Sequence, residues 1–164
     1  MVIYGVSFDL VGKQPIVLLK TADGNKFLPI WIGHPEAAAI LMKLQGASTP
    51  RPMTHDLVTE MLSQLDAQVV RITVTELKEN TFYASITVQQ NGSEIEIDSR
   101  SSDAIAVAIR AQAPIYAADE VIEESGIEFE GEDVNEEEIV SEFKQFLESV
   151  TPDEFAEAEG LEED

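Results

Sequence analysis

Apolar residues at the start of the chain fall on every second position: Val2, Tyr4, Val6, Phe8 and Leu10 alternate with smaller or polar residues. A period of two is the mark of a half-buried strand. Residues 15–20 form a short β-branched and leucine run, which predicts a second strand. Asp23-Gly24 predicts a tight turn leading into a third strand at 26–32. Pro29 has no amide to give to a ladder, so this third strand is expected at an edge or at a bulge. The period then changes. Ala37, Ile40, Leu41 and Leu44 recur at helical spacing, Pro35 suits the first helical position, and Gly46 ends the helix. Beyond a proline-rich link at 48–52, Leu57, Val58, Met61, Leu62 and Leu65 predict a second helix with Thr54 as its N-cap.

The pattern then repeats. Val70, Ile72 and Val74 alternate, as do Phe82, Ala84, Ile86 and Val88, and Asn91-Gly92 predicts a hairpin into a strand at 95–98. A helix follows with Ala104, Ile105, Ala108 and Ile109 on one face, and 119–124 reads as a short further helix. Individual residues echo the order of elements. Ile30-Trp31-Ile32 answers Ile95-Glu96-Ile97, and Glu36-Ala37 answers Asp103-Ala104, each acid followed seven residues later by a base, Lys43 or Arg110. The expectation is an α+β core, internally duplicated to about residue 118, with a core domain at 1–125 and a tail at 126–164.

In the tail, Ile139, Val140, Phe143, Phe146, Leu147 and Val150 share a helical face, and Asn135 with Glu138 is placed as a capping box. Thr151 begins a further cap and first turn, which carries Phe155. Residues 128–133 are expected to be a connector, and the last few to lack fixed structure. Such a helix either docks on the core with its charged face in water, or covers a basic site or engages a protein partner.

Composition narrows the chemistry. The chain of 164 residues has no cysteine, which removes disulfides, thiolate metal sites and cysteine nucleophiles. No basic leader and no apolar run of membrane-spanning length is present, so a cytoplasmic protein without a membrane partner is expected. A net charge of −22 argues against nucleic acid until it is located. Residues 1–118 hold twelve acids against nine bases, whereas 119–164 hold twenty acids against Lys144 alone. The core is therefore close to neutral.

No phosphate-cradling glycine loop, zinc-protease motif or nucleophile elbow occurs. Polar residues instead gather at helix starts: Thr54-His55-Asp56 after Arg51-Pro52, residues 98–103, and Gly33-His34-Pro35-Glu36. Taken singly, each is explained by capping and by acids complementing the helix dipole. Taken together, they form a site if the two halves pack with pseudo-symmetry. His55, Asp56, Asp98 and Asp103 would then share a cleft with Arg51 and Arg100. Carboxylates and histidine could hold Mg²⁺ or Mn²⁺ and activate water while the arginines neutralise a phosphate.

At these residues the chain resembles the bifunctional nuclease domain family of bacteria and plants. The matching segments are 28–33, Glu36-Ala37, 51–57, 102–106 and Pro114-Ile115-Tyr116, in the family's order over about residues 1–125. The tail from Phe143 through Pro152 to Phe155 is similar to that of actinobacteria-type members. One departure is visible: Arg100-Ser101-Ser102-Asp103 stands where the family usually has Arg-Pro-Ser-Asp. The resemblance implies a duplicated β(3)-α(2) fold and nuclease activity on DNA and RNA. Matched to these motifs and given roles by chemistry, His55, Asp56 and Asp103 are the expected catalytic residues. Arg51, Arg100 and Ser102 are expected to bind substrate, and Asp98, Asp103 and Glu36 to hold Mg²⁺ or Mn²⁺. The competing expectation is a non-catalytic binding or regulatory module, whose polar motifs cap helices and line a pocket. A homo-oligomer is compatible with either.

Overall fold

The computed structural model describes residues 1–9 and 11–128, together with Ser141 and Gln145, which are helical. The first half runs β1 (Val2–Asp9), β2 (Gln14–Lys20), β3 (Lys26–Trp31), α1 (His34–Leu44) and α2 (Thr54–Gln64). The second runs β4 (Ala67–Lys78), β5 (Thr81–Gln90), β6 (Ser93–Arg100), α3 (Ser101–Ala111), β7 (Ile115–Ala117), α4 (Asp119–Ser125) and β8 (Ile127–Glu128). The strands form two four-stranded sheets, ordered β1-β2-β3-β8 and β6-β5-β4-β7. The α+β class is as expected, and three antiparallel strands precede the helices in both halves.

Strands β7 and β8 are additions that hydrophobic periodicity does not reveal, because neither is long enough to display a period. β7 pairs in parallel with β4, Ile115 opposite Ile72, and β8 pairs with the start of β3. Glu128, expected in a connector, belongs to β8, which lies beyond residue 125. The expected tail helix and its caps, and Leu10, lie outside the described residues, apart from the two helical positions already named.

Alternation holds where the ladder is regular and fails at bulges. β5 pairs with β6 without a register shift, and Phe82, Ala84, Ile86 and Val88 are all buried. β1 carries an irregularity between Ile3 and Gly5. Ile3 and Val6 pack on the main core, while Val2 and Phe8 are exposed. An extra residue in a strand swaps the faces beyond it. β4 has the same feature between Val69 and Arg71, so Val69, Ile72 and Val74 are buried and Val70 only partly. Pro29 sits opposite Leu18, and β8 covers only Lys26 and Phe27 on the other side of β3. A residue without an amide is tolerated on that uncovered stretch.

Helix α3 lies at the centre. Ala104, Ile105, Ala106, Val107 and Ala108 are all buried, where the spacing predicted only one apolar face. A helix that is apolar all round has neighbours all round. α3 contacts α1 and α2 on its flanks and β4 and β5 beneath, and its small alanines let those elements approach closely. α2 is covered less than expected: Val58 and Leu62 pack on the core, but Leu57, Met61 and Leu65 are exposed. None of the described helices is long and apolar enough to cross a membrane.

Candidate functional site

Because α3 is central, its first turn is within reach of the first turns of α1 and α2. Each of the three turns contributes a titratable group. His55, the second residue of α2, is buried, and its Nε2 lies 2.8 Å from Asp103 Oδ1 in the first turn of α3. The other oxygen of Asp103 accepts a 2.8 Å hydrogen bond from Arg100 Nε. Arg100 Nη2 then reaches Glu36 Oε1 in the first turn of α1, also at 2.8 Å. The result is one relay across three helices: Glu36, Arg100, Asp103, His55. It borders a cleft of about 400 Å³, lined also by Asp98, Met53 and Val58.

Burial pushes the Asp103 carboxyl up, but hydrogen bonds and charge from His55 and Arg100 outweigh it and hold the group below its usual range. Asp103 is therefore anionic near neutral pH and acts only as an acceptor. His55 Nε2 must then carry the proton of their hydrogen bond, so the tautomer with a ring lone pair has it on Nδ1. No described residue hydrogen-bonds that Nδ1. Hydrogen bonding to Asp103, and then to Glu36, raises the pKa of Arg100 further above its already high value. Its side chain is nonetheless 66% exposed, so its outer face remains open to an anion.

Gly33 makes room for this arrangement. It precedes α1 with ordinary extended dihedrals, φ −71° and ψ 155°. A β-carbon there would collide with the Glu36 carboxylate. The bare backbone lets Glu36 fold back over the helix start and meet Arg100.

The other expected site residues lie elsewhere. Asp56 is one residue from His55, but its Oδ1 takes a 2.7 Å hydrogen bond from Arg110 Nε and its Oδ2 accepts the Met53 amide at 3.0 Å. The backbone hydrogen bond from Met53 is the first cause of its lowered pKa; burial opposes the shift and Arg110 supports it. Asp56 thus borders a separate cavity, together with Lys43, Pro50 and Arg110. That amide bond also corrects the helix start: Met53 is the N-cap and Thr54 the first helical residue, with Asp56 closing the turn from inside. Arg51 is exposed, borders neither cavity and forms no ion pair among the described residues. Ser102 is buried and faces a third cavity on the far side of Arg100.

Of the expected metal ligands, Asp103 has no free oxygen. Both oxygens of Asp103 are engaged by His55 and Arg100, and Glu36 is held through Oε1 by Arg100; Asp98 lines the cleft with no partner among the described residues. Among the described residues no three histidine, aspartate or glutamate side chains are arranged to hold a metal ion. Arg110 had appeared in the sequence only as an echo of Lys43. Nothing in its spacing announced that it would be the inter-helix partner of Asp56.

An α+β domain with a histidine–aspartate pair and an arginine at converging helix starts is the class that this geometry defines. The chain belongs to the bifunctional nuclease domain family, whose model matches residues 17–130. It is 38% identical over 159 residues to an uncharacterized protein of Mycobacterium tuberculosis, covering 93% of this chain and 95% of that one. It is 28% identical over 115 residues to Bifunctional nuclease 1 of Oryza sativa subsp. indica, covering 68% of this chain and 35% of the rice protein. With Bifunctional nuclease 1 of Arabidopsis thaliana the figures are 29% over 106 residues, 62% and 33%.

Proposed function

We propose that the chain hydrolyses phosphodiester bonds in DNA or RNA, with His55 as the acid–base group and Asp103 as the residue that orients it. The observation that carries this reading is the 2.8 Å bond between His55 and Asp103, with Arg100 on the same carboxylate. The Asp103 anion fixes the protonated Nε2 and leaves Nδ1 to take a proton from an attacking water or hydroxyl. As the bond breaks, the imidazolium formed is stabilised by Asp103 and can return its proton to the leaving oxygen. Arg100 faces the developing charge on the phosphate, a role suited to a planar, always-charged donor.

The family match supports this reading, as do the names of the plant relatives. The competing reading, a binding or regulatory module, draws on the negative surroundings of the cleft: Glu36, Asp98 and Asp103 face a single arginine. A nuclease assay on purified full-length protein separates the two, using single- and double-stranded DNA and RNA in Mg²⁺, in Mn²⁺ and in EDTA. The expected result is turnover that His55→Ala and Asp103→Asn each reduce by about 10²–10⁴-fold, the usual contribution of a positioned acid–base group. Turnover that neither variant lowers would rule out this site, and no turnover on any substrate would establish the binding reading.

A further inference from the structure

The nuclease reading leaves unused the cavity on the other side of Arg100. It has a volume of about 310 Å³ and lies between the end of β3, the β4–β5 hairpin and the first turn of α3. This is at the small end of the ~300–1,000 Å³ range of ligand pockets. One side is aromatic. Trp31 packs on the small apolar cluster of Ile16, Leu18 and Phe27, and Phe82 also lines the cavity. The other side is the start of an eleven-residue helix, where Ser101 and Ser102 line the cavity. Each serine is only 6% exposed as a residue, yet neither hydroxyl oxygen is among the buried side-chain atoms without a partner, which is consistent with oxygens that open onto the cavity.

Two neighbouring hydroxyls on the cavity wall with no acceptor among the described residues are donors that a ligand in the cavity can use. A helix start also offers free amides and a partial positive charge to an anion. Asp103 would oppose an anion there, but its carboxylate is turned toward the His55 cleft, where His55 and Arg100 balance it. An aromatic wall opposite a phosphate-sized set of donors suits a base with its phosphate, because every nucleobase has a face to stack.

We propose that this cavity binds the nucleotide adjoining the scissile phosphate, with the base against Trp31 and Phe82 and its phosphate on Ser101 and Ser102. The proposal rests on the nuclease reading, and Arg100, which lines both cavities, would be the shared wall between neighbouring phosphates. It also gives a use to the departure at 100–103. Ser101 brings a hydroxyl to the position where proline would have none.

Trp31 is the only tryptophan in the chain, so its fluorescence reports occupancy directly. Full-length protein is titrated with thymidine 5′-monophosphate, thymidine and inorganic phosphate, without turnover. The expected result is saturable quenching by the monophosphate, with thymidine and phosphate each at least tenfold weaker. Ser101→Ala and Ser102→Ala should weaken the monophosphate at least fivefold and leave thymidine unchanged. Trp31→Ala, followed by calorimetry, should weaken both. Absence of saturable quenching overturns the proposal, as does thymidine binding as tightly as its monophosphate, or serine variants that bind the monophosphate normally. Binding is read separately from hydrolysis. A protein that binds but does not cut sinks only the nuclease reading, and one that cuts but does not bind sinks only this cavity.

Discussion

Arg110 and Asp56 are 54 residues apart in sequence and meet at 2.7 Å between the last turn of α3 and the first turn of α2. The Arg110 side chain is 5% exposed, and its remaining donors reach the carbonyls of Ala106 and Ala39 at 3.0 Å each. One buried guanidinium thus joins all three helices that carry the candidate site. Replacing it with Met keeps much of the volume and strands those acceptors. Leaving buried polar groups unmatched costs about 1–3 kcal/mol. Urea denaturation of Arg110→Met should show a loss in that range, and an unchanged midpoint would mean that the helices are held by apolar packing alone.

The tautomer argument makes Asp103→Asn more informative than Asp103→Ala. Asn can keep a hydrogen bond to His55, but its amide can present a donor where the carboxylate only accepted. The imidazole would then be free to place its proton on Nδ1, as in hydrolases whose orienting aspartate is amidated. Turnover should fall by roughly 10²–10⁴-fold with little change in substrate affinity. A comparison of kcat with KM for the two proteins checks this, and a loss confined to KM would place Asp103 in binding instead.

Acid stability follows from the two lowered carboxyls. Asp56 and Asp103 both have folded-state pKa values below the unfolded one, which is about 3.9 for aspartate. Their contribution is fully present above that value and is lost as pH falls through the folded pKa. Urea midpoints of the native protein should therefore be insensitive to these groups from pH 7 to pH 5 and drop below about pH 4. Asp56→Asn and Asp103→Asn should each flatten part of that drop. If both variants follow the native profile, other carboxylates control acid unfolding.

Gly33→Ala separates the relay from the fold. The dihedrals suit any residue, and the obstacle is only the flexible end of Glu36. The stability cost should stay below about 1 kcal/mol, as for other partly exposed ion pairs. Arg100 would lose one of its two carboxylates and offer more net charge to an anion, so the KM for nucleic acid should fall. Glu36→Gln should act in the same direction. A KM that rises in both variants would show that Glu36 places Arg100 rather than competes for it.

Much of this architecture was legible in the sequence, for identifiable reasons. Six of the described strands and the helices α1 to α4 left periodic or turn signals, and the first-turn polar residues of α1, α2 and α3 pointed toward the cleft. What escaped was whatever depends on contacts distant in sequence. The bulge in β4 moved the buried face from Val70 to Val69, and the irregularity in β1 leaves Ile3 on the main core and Tyr4 on the small cluster around Phe27, because one added residue is invisible to a count of alternation. Neither β7 nor β8 could show a period. His55 and Asp56 are adjacent and equally polar, yet one turns to Asp103 and the other to Arg110. Only the position of α3 between α1 and α2 decides that.

The short strands β7 and β8 come from one stretch of fourteen residues, Ile115 to Glu128, joined by α4. That stretch gives its first strand to the second sheet and its last to the first. The chain is therefore laced shut by a segment of the second half that hands an edge strand back to the sheet of the first. Heat or denaturant should meet a single cooperative unit, and proteolysis between the halves should release fragments that cannot each rebuild a complete sheet.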